Sequence, residues 1–298
     1  MKKLISFILI TCISMCSSLV YASEPADMTI YNREEDTNIR NALLASEDVS
    51  EDDKKILRGE DFGYGNGLNE NREWVTYPGA EYLPMPAWAG GGTTYTHQYI
   101  TRIAMFIIDE DLGYNPLNSH TTALATAADL PDEDEDDYFF VWHFYDPDTG
   151  KNYSGGTDTA LSKFVSHYNT AVSNYSSNVS SSIESLGRAL HYLQDLSEPH
   201  HASNKIAGVS QHTQFESYAN DNRQNYYTFT MGSDSYNYGR NTPVSTMGHN
   251  FAVYAKSKIN LAENSSTFDT AASDTMTKAQ RNTACVLYKF MIDVGLVD

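Results

Sequence analysis

Apolar residues recur at helical spacing in five segments of the chain. In residues 96–108 they fall three and four positions apart, on one face of a helix: Ile100, Ile103, Ala104, Ile107 and Ile108. The same spacing returns in residues 161–172, 183–196, 251–261 and 278–294. Runs that alternate between apolar and polar positions, as half-buried strands do, are scarce. The pattern predicts an all-α fold, with a single helical domain in residues 88–298.

The first 22 residues have the pattern of a secretory signal peptide. Lys2 and Lys3 precede an apolar run that extends to about residue 20, and Ala22 ends a small-residue cleavage site. A membrane anchor is the alternative interpretation. Polar residues between positions 11 and 18 interrupt the run, however, whereas a membrane span requires about 20 consecutive apolar residues. The sequence therefore predicts a cleaved signal peptide, residues 1–22, and a secreted protein.

Residues 23–87 differ in composition from the part that follows. They contain acidic clusters, such as Glu34-Glu35-Asp36, and no long apolar run. This composition is typical of a flexible solvated arm, and the alternative is a pro-segment that is removed on maturation. Cys285 is the only cysteine after the signal peptide, so the exported domain must rely on its apolar core or on metal rather than on disulfides. The chain from Trp88 onward is long enough to bury such a core.

The charge of the chain restricts its partners. The formal net charge is −19, and from Trp88 onward 24 acidic residues face 12 basic ones. An acidic surface repels polyanions and offers no basic stripe for duplex nucleic acid, so we expect no such partner. Some of the carboxylates could instead bind cations.

Several histidines and carboxylates have the spacing of metal ligands. His191 and Asp195 are four residues apart, so on a helix they lie on one face and can reach the same cation. His212 and Glu216 repeat this spacing. Two more histidines stand before and after the first pair: His143 and His201. Each pair alone is more often a simple hydrogen bond, but together they indicate more than one metal ion of the kind that imidazole and carboxylate prefer, namely zinc. We expect the other histidines to be structural: His120, His167, His200 and His249.

Four segments together resemble the bacterial zinc-dependent phospholipase C family. They are HYLQD at 191–195 with PHHASN at 199–204, HFYDPDTGK at 143–151, His212 with Phe215-Glu216, and Trp88 with His97. The resemblance covers residues 88 to about 293, and the order and spacing of the segments make it specific. It implies an all-helical fold that holds three zinc ions in a cleft.

The resemblance also implies which residues hold each zinc ion. The first zinc would take His143, His191, Asp195 and an upstream aspartate. The second would take His201, His212 and Glu216. The third would take Asp195 as a bridge, His97, and the α-amino nitrogen and carbonyl oxygen of Trp88. An amide nitrogen cannot bind zinc, whereas a free amine with a pKa of about 8 can lose its proton to the metal. Cleavage between Ala87 and Trp88, by a protease or by the enzyme itself, would therefore complete the third site and give residues 23–87 the role of a pro-segment.

Three aspartates could supply the upstream ligand: Asp129, Asp132 and Asp134. The pair Pro131-Asp132 matches the pattern of the family best, and a carboxylate at Asp132 could also orient or deprotonate the attacking water. Phe140 matches an aromatic residue that contacts a choline-type cation, by cation–π attraction. An acidic head-group contact of the best-studied members has no counterpart here, because residues 90–92 are glycines. The sequence therefore does not predict the head group.

The resemblance predicts a monomeric secreted zymogen that hydrolyses the glycerol–phosphate ester of phospholipids at a membrane surface. We expect no separate carboxy-terminal membrane-binding domain. One alternative is a zinc-dependent single-strand nuclease of the same fold, which the acidic surface disfavours. Another is a secreted protein that binds zinc without turnover. That function would require saturated metal sites and would leave the pro-segment unexplained.

Overall fold

The computed structural model describes residues 33–47, 49, 51, 54, 57–58, 96–135, 140–231 and 233–298. The predicted signal peptide 1–22, most of the predicted pro-segment 23–87 and the predicted zinc ligand Trp88 lie outside the described residues. No described helix is long and apolar enough to span a membrane.

Eleven α-helices account for most of the described chain. They are α1 (Arg33–Ala45), α2 (Thr96–Leu112), α3 (Thr121–Ala127), α4 (Leu130–Asp134), α5 (Ala160–Asn174), α6 (Val179–Asp195), α7 (His212–Asp221), α8 (Ser233–Asn241), α9 (Val244–Ser257), α10 (Ile259–Ala262) and α11 (Phe268–Asp293). Short 3-10 turns lie between them, including Val141–His143 and His201–Ser203. The described residues form no strand, only one isolated bridge between Asp146 and Lys151. The prediction of an all-α fold is confirmed.

Two long helices, α6 and α11, form the centre of the fold. Helix α11 is buried on all sides from Thr275 to Tyr288 and packs against α2, α6, α7 and α8. Helix α6 packs along α5 on one side and against α3 on the other. The side chain of Asn178 caps the first turn of α6 by accepting a hydrogen bond from Ser181 N, which satisfies one of the unpaired donors there. The carboxyl end of α6 therefore lies inside the helical domain, and it carries His191 and Asp195.

Helices α3 and α6 approach closely at Gly187. A Cβ at this position would lie 2.8 Å from Leu124 O and would overlap the Cβ of Ala127. We expect Gly187→Ala to lower the free energy of unfolding by about 1–3 kcal/mol, because the two backbones must move apart to admit a methyl group. Denaturant unfolding measures this change. Glu184→Ala, on the exposed side of the same helix, is the control and should change stability by less than about 0.5 kcal/mol. Equal stability of Gly187→Ala and wild type would contradict the prediction.

The described part of residues 33–58 packs on the helical domain. Thr37 Oγ1 lies 3.1 Å from the hydroxyl of Tyr227, and the Arg40 guanidinium lies 5.0 Å from the centre of the same ring. Arg40 Nε also donates a hydrogen bond to Leu57 O at 2.8 Å. The Leu57 side chain is only 1 % exposed. These described residues are therefore docked on the domain, unlike a solvated arm.

Candidate metal centre

The carboxyl end of α6 places two predicted ligands on one buried face. His191 and Asp195 are one turn apart, and His191 Nε2 lies 3.3 Å from Asp195 Oδ2. His191 Nδ1 donates to the carbonyl oxygen of Ala128 at 2.7 Å, which fixes the orientation of the ring. A backbone partner on one ring nitrogen is how proteins commonly direct the other nitrogen toward a metal.

Two further residues converge on this pair. His143, at the end of the turn Val141–His143, has its Nδ1 at 2.9 Å from Asp195 Oδ2. Asp132, in α4, has its Oδ1 at 3.5 Å from His191 Nε2 and 3.7 Å from His143 Nδ1. The structure thus brings together the four side chains that the resemblance assigned to the first zinc ion.

The three candidate aspartates have different surroundings. Asp134 is half exposed, and its carboxylate pairs with the Arg188 guanidinium at 2.6 and 2.7 Å. Asp129 is buried and accepts a hydrogen bond from Gln98 Nε2. Only Asp132 of the three lies within ion-pair distance of His143 and His191 among the described residues. The geometry therefore favours Asp132 as the upstream ligand.

His97 packs against the ring of His191. Its ring is 4.1 Å from the ring of His191, and its Nε2 is 3.9 Å from Asp195 Oδ1. The other nitrogen, Nδ1, lies 2.7 Å from Gln194 Oε1. The Gln194 amide is itself oriented, because its Nε2 donates to Thr101 Oγ1. His97, Asp132 and His191 can offer ligand atoms that lie within 4.8 Å of one another.

His201, His212 and Glu216 form a second cluster, which also contacts Asp195. Helix α7 begins at His212, and Glu216 follows one turn later, with its Oε1 at 2.9 Å from His212 Nε2 and 3.3 Å from His201 Nε2. His201 Nδ1 lies 3.2 Å from Asp195 Oδ1. Asp195 thus contacts ligands of both clusters, the position that a bridging carboxylate requires.

The aromatic ring of Phe144 packs against the second cluster. It stacks on the His201 ring at 4.7 Å and meets the His212 ring edge-on at 5.8 Å. Phe140, the predicted substrate contact, lies beside the residues assigned to the first zinc ion, with its ring 5.6 Å from that of His143. Its backbone is left-handed, with φ of 55°, which is uncommon for a bulky residue. Such strained positions are concentrated at functional sites.

Burial and mutual charge shift the pKa values in the metal-free site. Burial alone would raise the pKa of Asp195, but His191, His143 and His201 outweigh burial and hold that pKa well below its usual range. Burial would lower the pKa of His191, but Asp132 and Asp195 raise it to about 9. Burial, aided by the charge of His191, lowers the pKa of His97 to about 4. In the metal-free protein at neutral pH, His191 therefore carries a proton and His97 does not.

The unsatisfied atoms of the site fit a metal. Asp132 Oδ2 and both ring nitrogens of His201 are buried and make no hydrogen bond to any described residue. Burying such groups without a partner costs free energy, so native proteins rarely leave them so. Imidazole nitrogen and carboxylate oxygen are the ligands that zinc takes in proteins. The donor set and its burial therefore suit zinc.

Zinc binding should be coupled to proton release. Because the pKa of His191 is raised to about 9, this ring is protonated at pH 7 and must lose a proton to become a ligand. We expect zinc affinity to rise with pH between about 6 and 9, and at least about one proton to be released per protein at pH 7. Calorimetry of the metal-free protein in buffers of different ionisation enthalpy measures this number. Binding without proton release would contradict either the protonation of His191 before binding or its role as a ligand.

A buried glutamate beside His201, Glu198, was not predicted from the sequence. Glu198 is completely buried, and its Oε2 accepts a hydrogen bond from His201 N at 2.6 Å. It can also offer a ligand atom to the group formed by His201, His212 and Glu216. The sequence showed only a turn at Glu198-Pro199 and a histidine, His200, without an assigned role. A glutamate directly before two adjacent histidines was the available signal.

Comparison with known proteins agrees with this geometry. The model of the family described as zinc dependent phospholipase C matches residues 96–281. Phospholipase C of Paraclostridium bifermentans is 29% identical over 251 residues, which are 69% of this chain and 63% of the relative. Phospholipase C of Clostridium perfringens is 28% identical over 247 residues, with 70% and 62% covered. The chain therefore spans a little under two thirds of the length of these relatives.

Solved structures give the same result. The alpha toxin of Clostridium absonum aligns with a TM-score of 0.60 and 25% identity, over 68% of this chain and 65% of the toxin. The alpha-toxin of an avian strain of Clostridium perfringens aligns with a TM-score of 0.60 and 26% identity, over 68% and 64%. The family model covers more than half of the chain and includes His97, Asp195 and Glu216. This chain belongs to the zinc-dependent phospholipase C family.

Proposed function

We propose that this protein is a secreted phospholipase C that uses zinc to hydrolyse the glycerol–phosphate ester of phospholipids. The observation that carries the proposal is the arrangement around Asp195, whose two carboxylate oxygens lie close to His143 and His201 in two adjoining clusters. Adjoining metal ions of this kind suit the cleavage of phosphate esters, because they can stabilise charge on both the attacking and the leaving oxygen.

We assign nine residues to three zinc ions. His143, His191, Asp132 and Asp195 would hold the first, and His201, His212 and Glu216 the second. His97, Asp195 and the amino terminus at Trp88 would hold the third. Two groups of described residues support this set, since His143, His191 and Asp195, and likewise His201, His212 and Glu216, can present ligand atoms within 4.8 Å of one another. His97 can do so with Asp132 and His191, and its Nε2 lies 3.9 Å from Asp195 Oδ1. The number of ions and the part of Trp88 are inferred from the resemblance.

Asp132 is our candidate for the group that handles the attacking water. One of its oxygens lies near His143 and His191, and the other, Oδ2, is buried without a hydrogen bond to any described residue. An acceptor held in this way can orient a water molecule and take its proton. Zinc, when bound, lowers the pKa of water and neutralises charge on the phosphoryl oxygens. The phosphorus then gains the water oxygen and loses the glycerol oxygen, which takes up a proton, so the products are diacylglycerol and a phosphorylated head group.

Residues around the cleft would bind and shield the substrate. The Phe144 ring covers His201 and His212, so it keeps water away from that cluster. The Phe140 ring stands beside His143 and could face a quaternary ammonium head group by cation–π attraction. Phosphatidylcholine is therefore the first substrate to test.

We further propose that the chain is a monomeric zymogen. Cleavage between Ala87 and Trp88 would create the α-amine that the third zinc site requires, and export through the signal peptide 1–22 would bring the enzyme to its lipid substrate. A processing protease or the enzyme itself would make the cut.

The test compares two forms of the protein on short-chain phosphatidylcholine. One form begins at Trp88, and the other begins at residue 23. We expect the form that begins at Trp88 to release phosphocholine, the longer form to be much slower, and a zinc chelator to abolish the activity. If neither form cleaves any phospholipid and single-stranded nucleic acid is cleaved instead, the phospholipase assignment is wrong. Zinc binding without hydrolysis of either substrate would leave the zinc-sequestering function.

A further inference from the structure

Beyond the metal ligands, three polar residues link the segments that carry His201 and His212, and two of them are buried. We propose that Glu198, His200 and Glu263 form a bridge, here called the His200 bridge, that positions His201 and His212 to bind metal. The proposal rests on the metal-binding part of the proposed function. It assigns the three residues a positioning role that the ligand set alone does not include.

One end of the His200 bridge holds the backbone of His201. His200 Nδ1 donates to Glu198 Oε1 at 2.9 Å, and Glu198 Oε2 accepts from His201 N at 2.6 Å. Glu198 and His200 are both completely buried. A buried carboxylate with both oxygens engaged has one orientation, so it fixes the turn on which His201 stands.

The other end holds the start of helix α7. His200 Nε2 donates to Glu263 Oε1 at 3.0 Å, and the same oxygen accepts from Gln211 N at 3.1 Å. Gln211 directly precedes His212, which is the first residue of α7. One imidazole thus connects, through two carboxylates, the backbone at His201 with the backbone next to His212.

The ring of His200 also sets the orientation of the His212 ring. The two rings are nearly parallel, at 9°, with their centres 5.1 Å apart. His191 is oriented by a hydrogen bond from Nδ1 to a backbone carbonyl, but His212 Nδ1 makes no hydrogen bond to any described residue. The His212 ring is instead held between His200 and the edge of Phe144. Stacking on His200 therefore replaces the hydrogen bond that usually orients a metal-binding histidine.

Replacement of bridge residues tests the proposal through zinc affinity. His200→Phe keeps an aromatic ring against His212 and removes both hydrogen bonds. Glu263→Leu breaks the bridge at its partly exposed end, where the side chain is 26 % exposed, so it should disturb folding less than a change at a buried position. We expect each variant to bind one of its zinc ions about 10–100-fold more weakly, as is usual when the partners of metal ligands are removed. Chelator competition with metal analysis measures the affinity.

Three further variants separate positioning from general destabilisation. Glu263→Gln can still accept both hydrogen bonds through its amide oxygen, so it should keep the wild-type zinc affinity. Lys205→Met is the matched control, because the partly exposed Lys205 pairs with the same glutamate at 3.5 Å but lies outside the bridge. It should also bind zinc normally. His212→Ala removes a ligand of the affected site. Adding His200→Phe to it should weaken zinc binding by less than His200→Phe does alone, because only the His201 end of the bridge is then left to disturb.

The results have distinct meanings. The His200 bridge is supported if Glu263→Leu binds one zinc ion more weakly while Glu263→Gln binds zinc like the wild type. The metal-free variants must also unfold like the metal-free wild type. Normal zinc affinity in both Glu263→Leu and His200→Phe overturns it, as does additive weakening in the double variant with His212→Ala. These experiments measure zinc affinity and not lipid cleavage. If the wild-type protein binds three zinc ions and cleaves no phospholipid, only the proposed activity is refuted, and the test of the His200 bridge remains valid.

Discussion

Asp195→Ala should remove most of the bound metal and abolish hydrolysis. The Asp195 carboxylate lies within 4 Å of ring nitrogens of four histidines: His97, His143, His191 and His201. Without it, these buried rings have no carboxylate between them, so nothing at this position balances the positive charge of bound metal ions. We expect at least two of the three proposed zinc ions to be lost.

The expected loss of activity is large. Metal ions of this kind contribute several kcal/mol to transition-state stabilisation, and about 1.4 kcal/mol corresponds to a factor of ten in rate, so turnover should fall by at least about 1000-fold. Metal analysis and phosphocholine release measure the two effects. Asp134→Ala is the control, since its half-exposed carboxylate pairs with Arg188 and belongs to no metal cluster of the described residues. An Asp195→Ala protein that loses fewer than two zinc ions and still turns over would refute the shared-ligand arrangement.

Asp132→Asn should reduce the chemical step more than substrate binding. The amide keeps the shape of the side chain and an oxygen toward His143 and His191, but it cannot take a proton from water. Loss of a general base usually costs about 100- to 10,000-fold in rate, so we expect kcat to fall by this factor with little change in KM. Zinc content should fall by one ion at most.

Asp129→Asn is the matched control for this experiment. Burial raises the pKa of Asp129 well above its usual range and so disfavours its charged form, which makes an uncharged amide of the same shape a mild replacement. An asparagine can also accept the hydrogen bond from Gln98. We expect nearly normal kcat. A similar fall in kcat for both variants would show that the effect at Asp132 is not specific to a general base.

Helical periodicity predicted the central helices of the fold, but it predicted few of the residues at which helices begin and end. The predicted segments 161–172 and 183–196 correspond closely to α5 and α6. The predicted segment 251–261 is divided in the structure, because α9 ends at Ser257 and α10 begins at Ile259. Helix α11 begins at Phe268, ten residues before the predicted start at 278. Its first turns are rich in polar residues, and Thr275 is nevertheless completely buried by tertiary packing that periodicity does not contain.

The candidate site was predictable where the ligands lie one helical turn apart. His191 with Asp195, and His212 with Glu216, follow from spacing alone. The choice among the three upstream aspartates required the fold, because Arg188, far along the chain, is what holds Asp134 at the surface. The His200 bridge was hidden for the same reason. Its third member, Glu263, is more than sixty residues away from His200 and reaches it only in the folded protein.

The docking of α1 has a consequence for how a processed enzyme would be isolated. A cut after Ala87 breaks a peptide bond, but it breaks neither the contacts of Thr37 and Arg40 with Tyr227 nor the packing that buries Leu57. The amino-terminal fragment would then leave only as fast as these non-covalent contacts dissociate. Purified active protein should therefore contain two polypeptides that run separately on a denaturing gel and elute together in size-exclusion chromatography, as the two fragments of a nicked protein do.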